Sequence, residues 1–130
     1  TKLLTPPTKP THTINHLKFL TEEAQLMRAD LMVVGEVKGD ETFSFVLGAA
    51  SGTCSVATIH GSDPRNALQR LTLLCTLAQP NLNPQTINSL IAKAIKYLIM
   101  VEKGKITSIN ELGAPNNGNF SLKRLDGMGL

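Results

Sequence analysis

The chain has 130 residues, 42% hydrophobic and 18% charged, with a formal net charge of +3. That is enough for one domain with a modest core, and the apolar share excludes wholesale disorder. The weak basic balance comes without a dense Lys/Arg cluster or interleaved aromatics, so no direct nucleic-acid contact is expected of this segment.

Aromatic residues make up 4% and tryptophan is missing, so Leu, Ile, Val, Met and Ala must build the core. No apolar run reaches the roughly 18 residues of a membrane-spanning helix. Cys54 and Cys75 stand alone, without paired spacing, and read as reduced, buried thiols suited to a cytosol. The chain begins at Thr1 rather than Met, which reads as a piece of something longer.

In chain order, residues 1–13 carry Pro6, Pro7 and Pro10 and predict an extended lead-in, because proline fixes its backbone and lacks an amide donor. Residues 14–130 form the domain. Leu17, Leu20, Ala24 and Met27 make one helical stripe within 14–29. Thr21 ahead of Glu22 and Glu23 reads as a helix cap. Leu31, Met32, Val33 and Val34, ending at Gly35, predict a strand buried on both faces.

Residues 40–50 predict a helix with Phe43, Val46, Leu47 and Ala50 on its apolar side. A second short strand spans 54–60. Asp63-Pro64 opens a helix with an apolar face of Ala67, Leu68, Leu71, Leu74 and Cys75. Asn83-Pro84 opens another, carrying Ile87, Leu90, Ile91 and Ala94. Residues 97–101 and 106–112 predict a hairpin around Gly104. An Asn/Gly loop at 116–119 leads to a last edge strand at 120–125, and Gly127 and Gly129 mark a frayed tail. Strands alternating with helices predict an α/β layered domain.

Two residues carry candidate chemistry. Glu36 follows an apolar strand, where a carboxylate can orient an attacking water, or hold Mg2+ through water, beside a γ-phosphate. The alternative is a solvated strand-end residue. His60 follows a strand of small residues and can donate a hydrogen bond to a phosphate oxygen; the alternative is a surface or capping histidine. His12 and His16 make no metal-ligand spacing with His60 or the cysteines, which argues against zinc. Two successive strand-helix units would bring Glu36 and His60 to one sheet edge, where α/β folds bind ligands.

The stretch Leu26-Met27-Arg28-Ala29-Asp30-Leu31-Met32-Val33-Val34-Gly35-Glu36-Val37-Lys38-Gly39 resembles the L-R-M-R-P-D-x-h-h-V-G-E-V-R-G signature of secretion ATPases. Ala57-Thr58-Ile59-His60-Gly61-Ser62-Asp63-Pro64, running on through Leu68 and Arg70-Leu71, resembles their A-T-I-H-A-N-S-P-x-x-A-L-x-R-L stretch. The similarity is to the type II/type IV secretion superfamily, nearest its tight-adherence pilus and conjugative-transfer branch. It is close over 17–71 and looser over the hairpin.

The resemblance implies a partial RecA-like P-loop NTPase sheet with flanking helices and a C-terminal β-hairpin. It implies a homo-hexameric motor, cytoplasmic and peripheral at the inner face of the bacterial membrane. That motor would use ATP and Mg2+ to power pilus assembly, protein export or DNA transfer with the inner-membrane secretion or pilus machinery. Gly35 and Glu36 fall on the Walker B glycine and catalytic glutamate, with Glu36 reaching Mg2+ through water. Thr58 and His60 fall on the histidine box, and His60 would sense the γ-phosphate. Arg28 and Arg70 match recurrent arginines, whose role would be phosphate contact, subunit contact or salt bridging.

The sequence also departs from the pattern. The phosphate loop G-x-x-x-x-G-K-[ST] does not occur here, so no backbone cradle holds the β- and γ-phosphates. The family places that loop upstream, together with an N-terminal domain, which makes truncation the simplest account and predicts that the fragment is inactive. Family proline is Ala29, family arginine is Lys38, the glycine-histidine pair before the histidine box is Gly52-Thr53, and H-A-N is His60-Gly61-Ser62. A non-catalytic binding or assembly module that kept the fold is the rival reading. A phosphate loop encoded upstream of Thr1 would favour the enzyme.

Overall fold

The computed structural model describes residues 16–116 and 119–125. The expected lead-in over 1–13 and the tail glycines lie outside the described residues, as does the middle of the Asn/Gly loop. The architecture is α/β, in the order α1 (His16–Leu26), β1 (Leu31–Val34), α2 (Glu41–Ala50), β2 (Cys54–Ala57), α3 (Pro64–Ala78), α4 (Pro84–Ala94), β3 (Tyr97–Glu102), β4 (Lys105–Asn116) and β5 (Asn119–Arg124). Two sheets result: parallel β1-β2, and antiparallel β3-β4-β5.

The β1-β2 ladder sets the geometry of everything that follows. Leu31 pairs with Cys54, Met32 with Ser55, Val33 with Val56 and Val34 with Ala57. Side chains alternate across a strand, so this register sorts them into two faces. Met32 and Val34 point into the core. Leu31 and Val33 are 52% and 65% exposed. The expectation of a strand buried on both faces is therefore corrected: among the described residues only one face of β1 is covered by helices. Cys54 shares the bare face with Val56 and is exposed, which corrects the reading of two buried thiols; Cys75 alone is buried.

The core gathers Met32, Val34 and Val37 with Phe45 and Val46 of α2, Leu68, Leu71 and Cys75 of α3, Ile87 and Ile91 of α4, and Leu112 of β4. Leu68, Ile87 and Ile91 are almost fully buried, each worth roughly 1.5–3 kcal/mol of apolar transfer. The two Pro-led helices start as their sequences predict. Asp63 accepts from the Asn66 amide at 2.8 Å and Asn83 from the Gln85 amide at 2.8 Å, supplying acceptors to amides that have no partner within the helix.

Two helix readings are corrected. Thr21 is no cap: α1 begins earlier, and the buried Thr21 hydroxyl donates back to the Leu17 carbonyl at 2.7 Å. A threonine can satisfy its own hydroxyl one turn back and so sit inside a helix. On α2 the core side is set by Phe45 and Val46, while Leu47 is 43% exposed.

The C-terminal hairpin turns at Lys103 and Gly104, both with positive φ (50° and 75°). This is the twist-matched two-residue turn, for which glycine is suited. β4 runs on past the expected strand end and pairs with β5, so the hairpin is part of a three-stranded meander. The Arg65 guanidinium donates to the Phe120 carbonyl at 3.3 Å, tying α3 to β5.

Candidate active site

Because β1 and β2 are parallel neighbours, their C-terminal ends lie on one edge. Gly35-Glu36-Val37 leaves the end of β1, and Thr58-Ile59-His60 leaves the end of β2. Thr58 grips both sides of Glu36. Its hydroxyl donates to the Gly35 carbonyl, and its carbonyl accepts from the Val37 amide at 2.9 Å. Val37 is only 2% exposed, so its side chain anchors the next position in the core. Glu36 is left between two fixed neighbours with its carboxylate directed outward.

That carboxylate meets the histidine. Glu36 Oε1 lies 3.2 Å from His60 Nε2, with the two side chains 35% and 76% exposed. The arrangement presents an acid and an imidazole in close contact at a partly exposed edge. Such a pair can orient a water and stabilise a proton moving between oxygen and nitrogen. The pair stands on an open sheet edge. Two surface clefts among the described residues lie elsewhere, one near Lys18, Asp40 and Gln79 and the other near Arg65, Thr72 and Asn88.

The segment after each residue is also anchored. Beyond His60, the Ser62 amide donates to Asn66 Oδ1 at 3.1 Å at the start of α3. A Cβ on Gly61 would fall within 2.8 Å of Ala67 Cβ and 2.9 Å of its backbone. Beyond Glu36, the Lys38 and Gly39 amides both donate to one oxygen of Glu41, at 2.7 and 2.9 Å.

Gly35, Glu36, Thr58 and His60 are therefore brought together. Arg28 and Arg70 are not. Arg28 lies in the turn before β1 with φ of 53°, at the end of the strand opposite Glu36. Arg70 is exposed well inside α3. Neither guanidinium has an ion-pair partner among the described residues. The described residues contain no cluster of three or more His, Cys, Asp or Glu placed to hold a metal.

Sequence reasoning missed Glu41, whose side chain is 2% exposed. The signal was there: positions 41, 45 and 48 share one helical face, and Phe45 and Gly48 are buried. A carboxylate on that face must have partners, because an unpaired buried charge is too costly to keep. Cys75 is the other buried titratable group among the described residues. Loss of hydration pushes its thiol up from 9.0 to about 12, so it is neutral and unreactive.

Comparison with known proteins identifies relatives of the chain. A family model described as "Type II/IV secretion system protein" matches residues 17–112. The type IV secretion system protein PtlH of Bordetella pertussis is 34% identical over 89 residues, covering 61% of this chain and 26% of the relative. PtlH homologs of Bordetella parapertussis and Bordetella bronchiseptica match to the same extent. The chain thus spans about a quarter of the length of the curated relatives it matches.

Proposed function

The chain belongs to the type II/IV secretion system protein family, and from that premise we propose that it carries the water-activating edge of a secretion ATPase. The observation that supports this most directly is the contact between Glu36 and His60 across neighbouring strand ends. In this reading Glu36 orients the attacking water and takes up its proton as the water oxygen bonds to the γ-phosphorus and the bond to the bridging oxygen breaks, releasing ADP. His60 donates to the γ-phosphate and senses its presence. Gly35 and Thr58 fix the backbone on either side of Glu36.

ATP with Mg2+, when bound, supplies the phosphoryl group and the cation that balances its charge. The donor set fits an indirect role toward that cation, since a single half-exposed carboxylate reaches it through water rather than by enclosing it. Arg28 and Arg70, exposed and away from Glu36, suit contacts with a neighbouring subunit of a homo-hexamer. No helix among the described residues is long and apolar enough to cross a membrane. The working position is cytoplasmic, against the inner membrane and its secretion machinery.

The test uses an ATPase that carries this segment together with a phosphate loop. Glu36→Gln keeps the shape and removes the charge. It should retain ATP binding and lose turnover by about 100-fold or more, the usual weight of a general base. Normal steady-state hydrolysis by that variant would refute the assignment. The 130-residue chain alone should give no heat with ATP in calorimetry; micromolar affinity would contradict the need for a separate phosphate cradle.

A further inference from the structure

Glu41 is a buried carboxylate that the proposed hydrolysis does not use. It opens α2, where the preceding residue Asp40 makes no side-chain capping bond. Its Oε1 takes two amides at once, from Lys38 at 2.7 Å and Gly39 at 2.9 Å. A third bond closes the same turn, from the Thr42 amide to the Gly39 carbonyl at 3.1 Å. Bonds to a carboxylate are about twice as strong as neutral ones, and burial shields these from water. The turn they close begins at the residue after Val37, itself pinned to β2 through Thr58.

Glu36 therefore sits between two clamps. One is the sheet, through Thr58. The other is Glu41, through the turn at 38–39. We infer that Glu41 is a positioning residue, whose carboxylate holds the turn after Glu36 and so fixes where the Glu36 side chain stands against His60. Its importance for turnover rests on the reading of Glu36 as the water-activating group, but the clamp itself can be tested without nucleotide.

The experiment uses the 130-residue chain and NMR. In the wild type, Glu36→Gln should shift the His60 ring resonances, because the two groups touch. In a Glu41→Ala background that response should shrink by half or more. The Lys38 and Gly39 amides should also exchange with solvent at least about tenfold faster, as expected when a bond worth about 1.5–3 kcal/mol is removed. Glu41→Asp is too short to reach and should behave like alanine. Glu41→Gln keeps an acceptor oxygen and should retain most of the response.

An unchanged His60 response in folded Glu41→Ala or Glu41→Asp would overturn the proposal. So would loss of the fold in both, which would make Glu41 a core prop only. In a full-length ATPase, Glu41→Ala should lower kcat by about 100-fold, the scale of a 1 Å misplacement, with KM for ATP nearly unchanged. If Glu36→Gln proves fully active while the NMR result holds, the hydrolysis reading fails and the clamp stands.

Discussion

Gly61 rests against Ala67 so closely that no side chain fits between the His60 loop and the first turn of α3. The obstruction includes the Ala67 backbone, which cannot swing aside like the end of a long side chain. Where the A-T-I-H-A-N stretch carries alanine, this chain carries glycine, and the loop lies down on the helix. Gly61→Ala should therefore destabilise the chain by about 1–3 kcal/mol, the range for overpacking. A urea melt checks this, and unchanged stability would mean the loop can lift off α3 freely.

Thr42 presents the opposite case. It is fully buried, and its hydroxyl has no hydrogen-bond partner among the described residues. Valine has nearly the same shape without the polar group. Thr42→Val should stabilise the chain by about 1–2 kcal/mol, the cost of burying an unsatisfied hydroxyl. A melting midpoint that falls would show that the hydroxyl has a partner, such as a bound water.

The cysteines predict a pH dependence with a definite sign. Burial raises the Cys75 thiol from 9.0 to about 12. The folded chain therefore holds a proton that the unfolded chain releases first. This contribution is fully present below pH 9 and is lost as pH rises from about 9 toward 12. The slope is about 1.4 kcal/mol per pH unit. Cys75→Ala should remove that slope while lowering stability at neutral pH. With a thiol reagent, Cys54 should react in the native state and Cys75 only after unfolding.

Much of this was legible because it is local or graphic in the sequence. Asp63-Pro64 and Asn83-Pro84 announce helix starts through the side chain and ring they need. Glu36 and His60 were readable because parallel neighbours place successive strand ends on one edge. Other features depend on what lies across the fold. Leu31 and Val33 look like any core strand, since hydropathy reports a preference for burial and not whether a covering layer is present. Thr21 looked like a cap because a threonine before two acids fits a helix start, yet it bonds back to Leu17. Glu41 drew no reading, although it shares a helical face with Phe45, because an acid at a helix start is usually solvated.

One register governs both the interior and the chemistry. A slip of one residue between β1 and β2 would turn Met32 and Val34 outward, and the same slip would carry Glu36 out of step with His60. Misaligned molecules thus lose their packing and the Glu36–His60 contact together. Proteolytic resistance and site assembly should rise and fall as a single property, so quality control that checks only for a solid interior also screens for a competent edge.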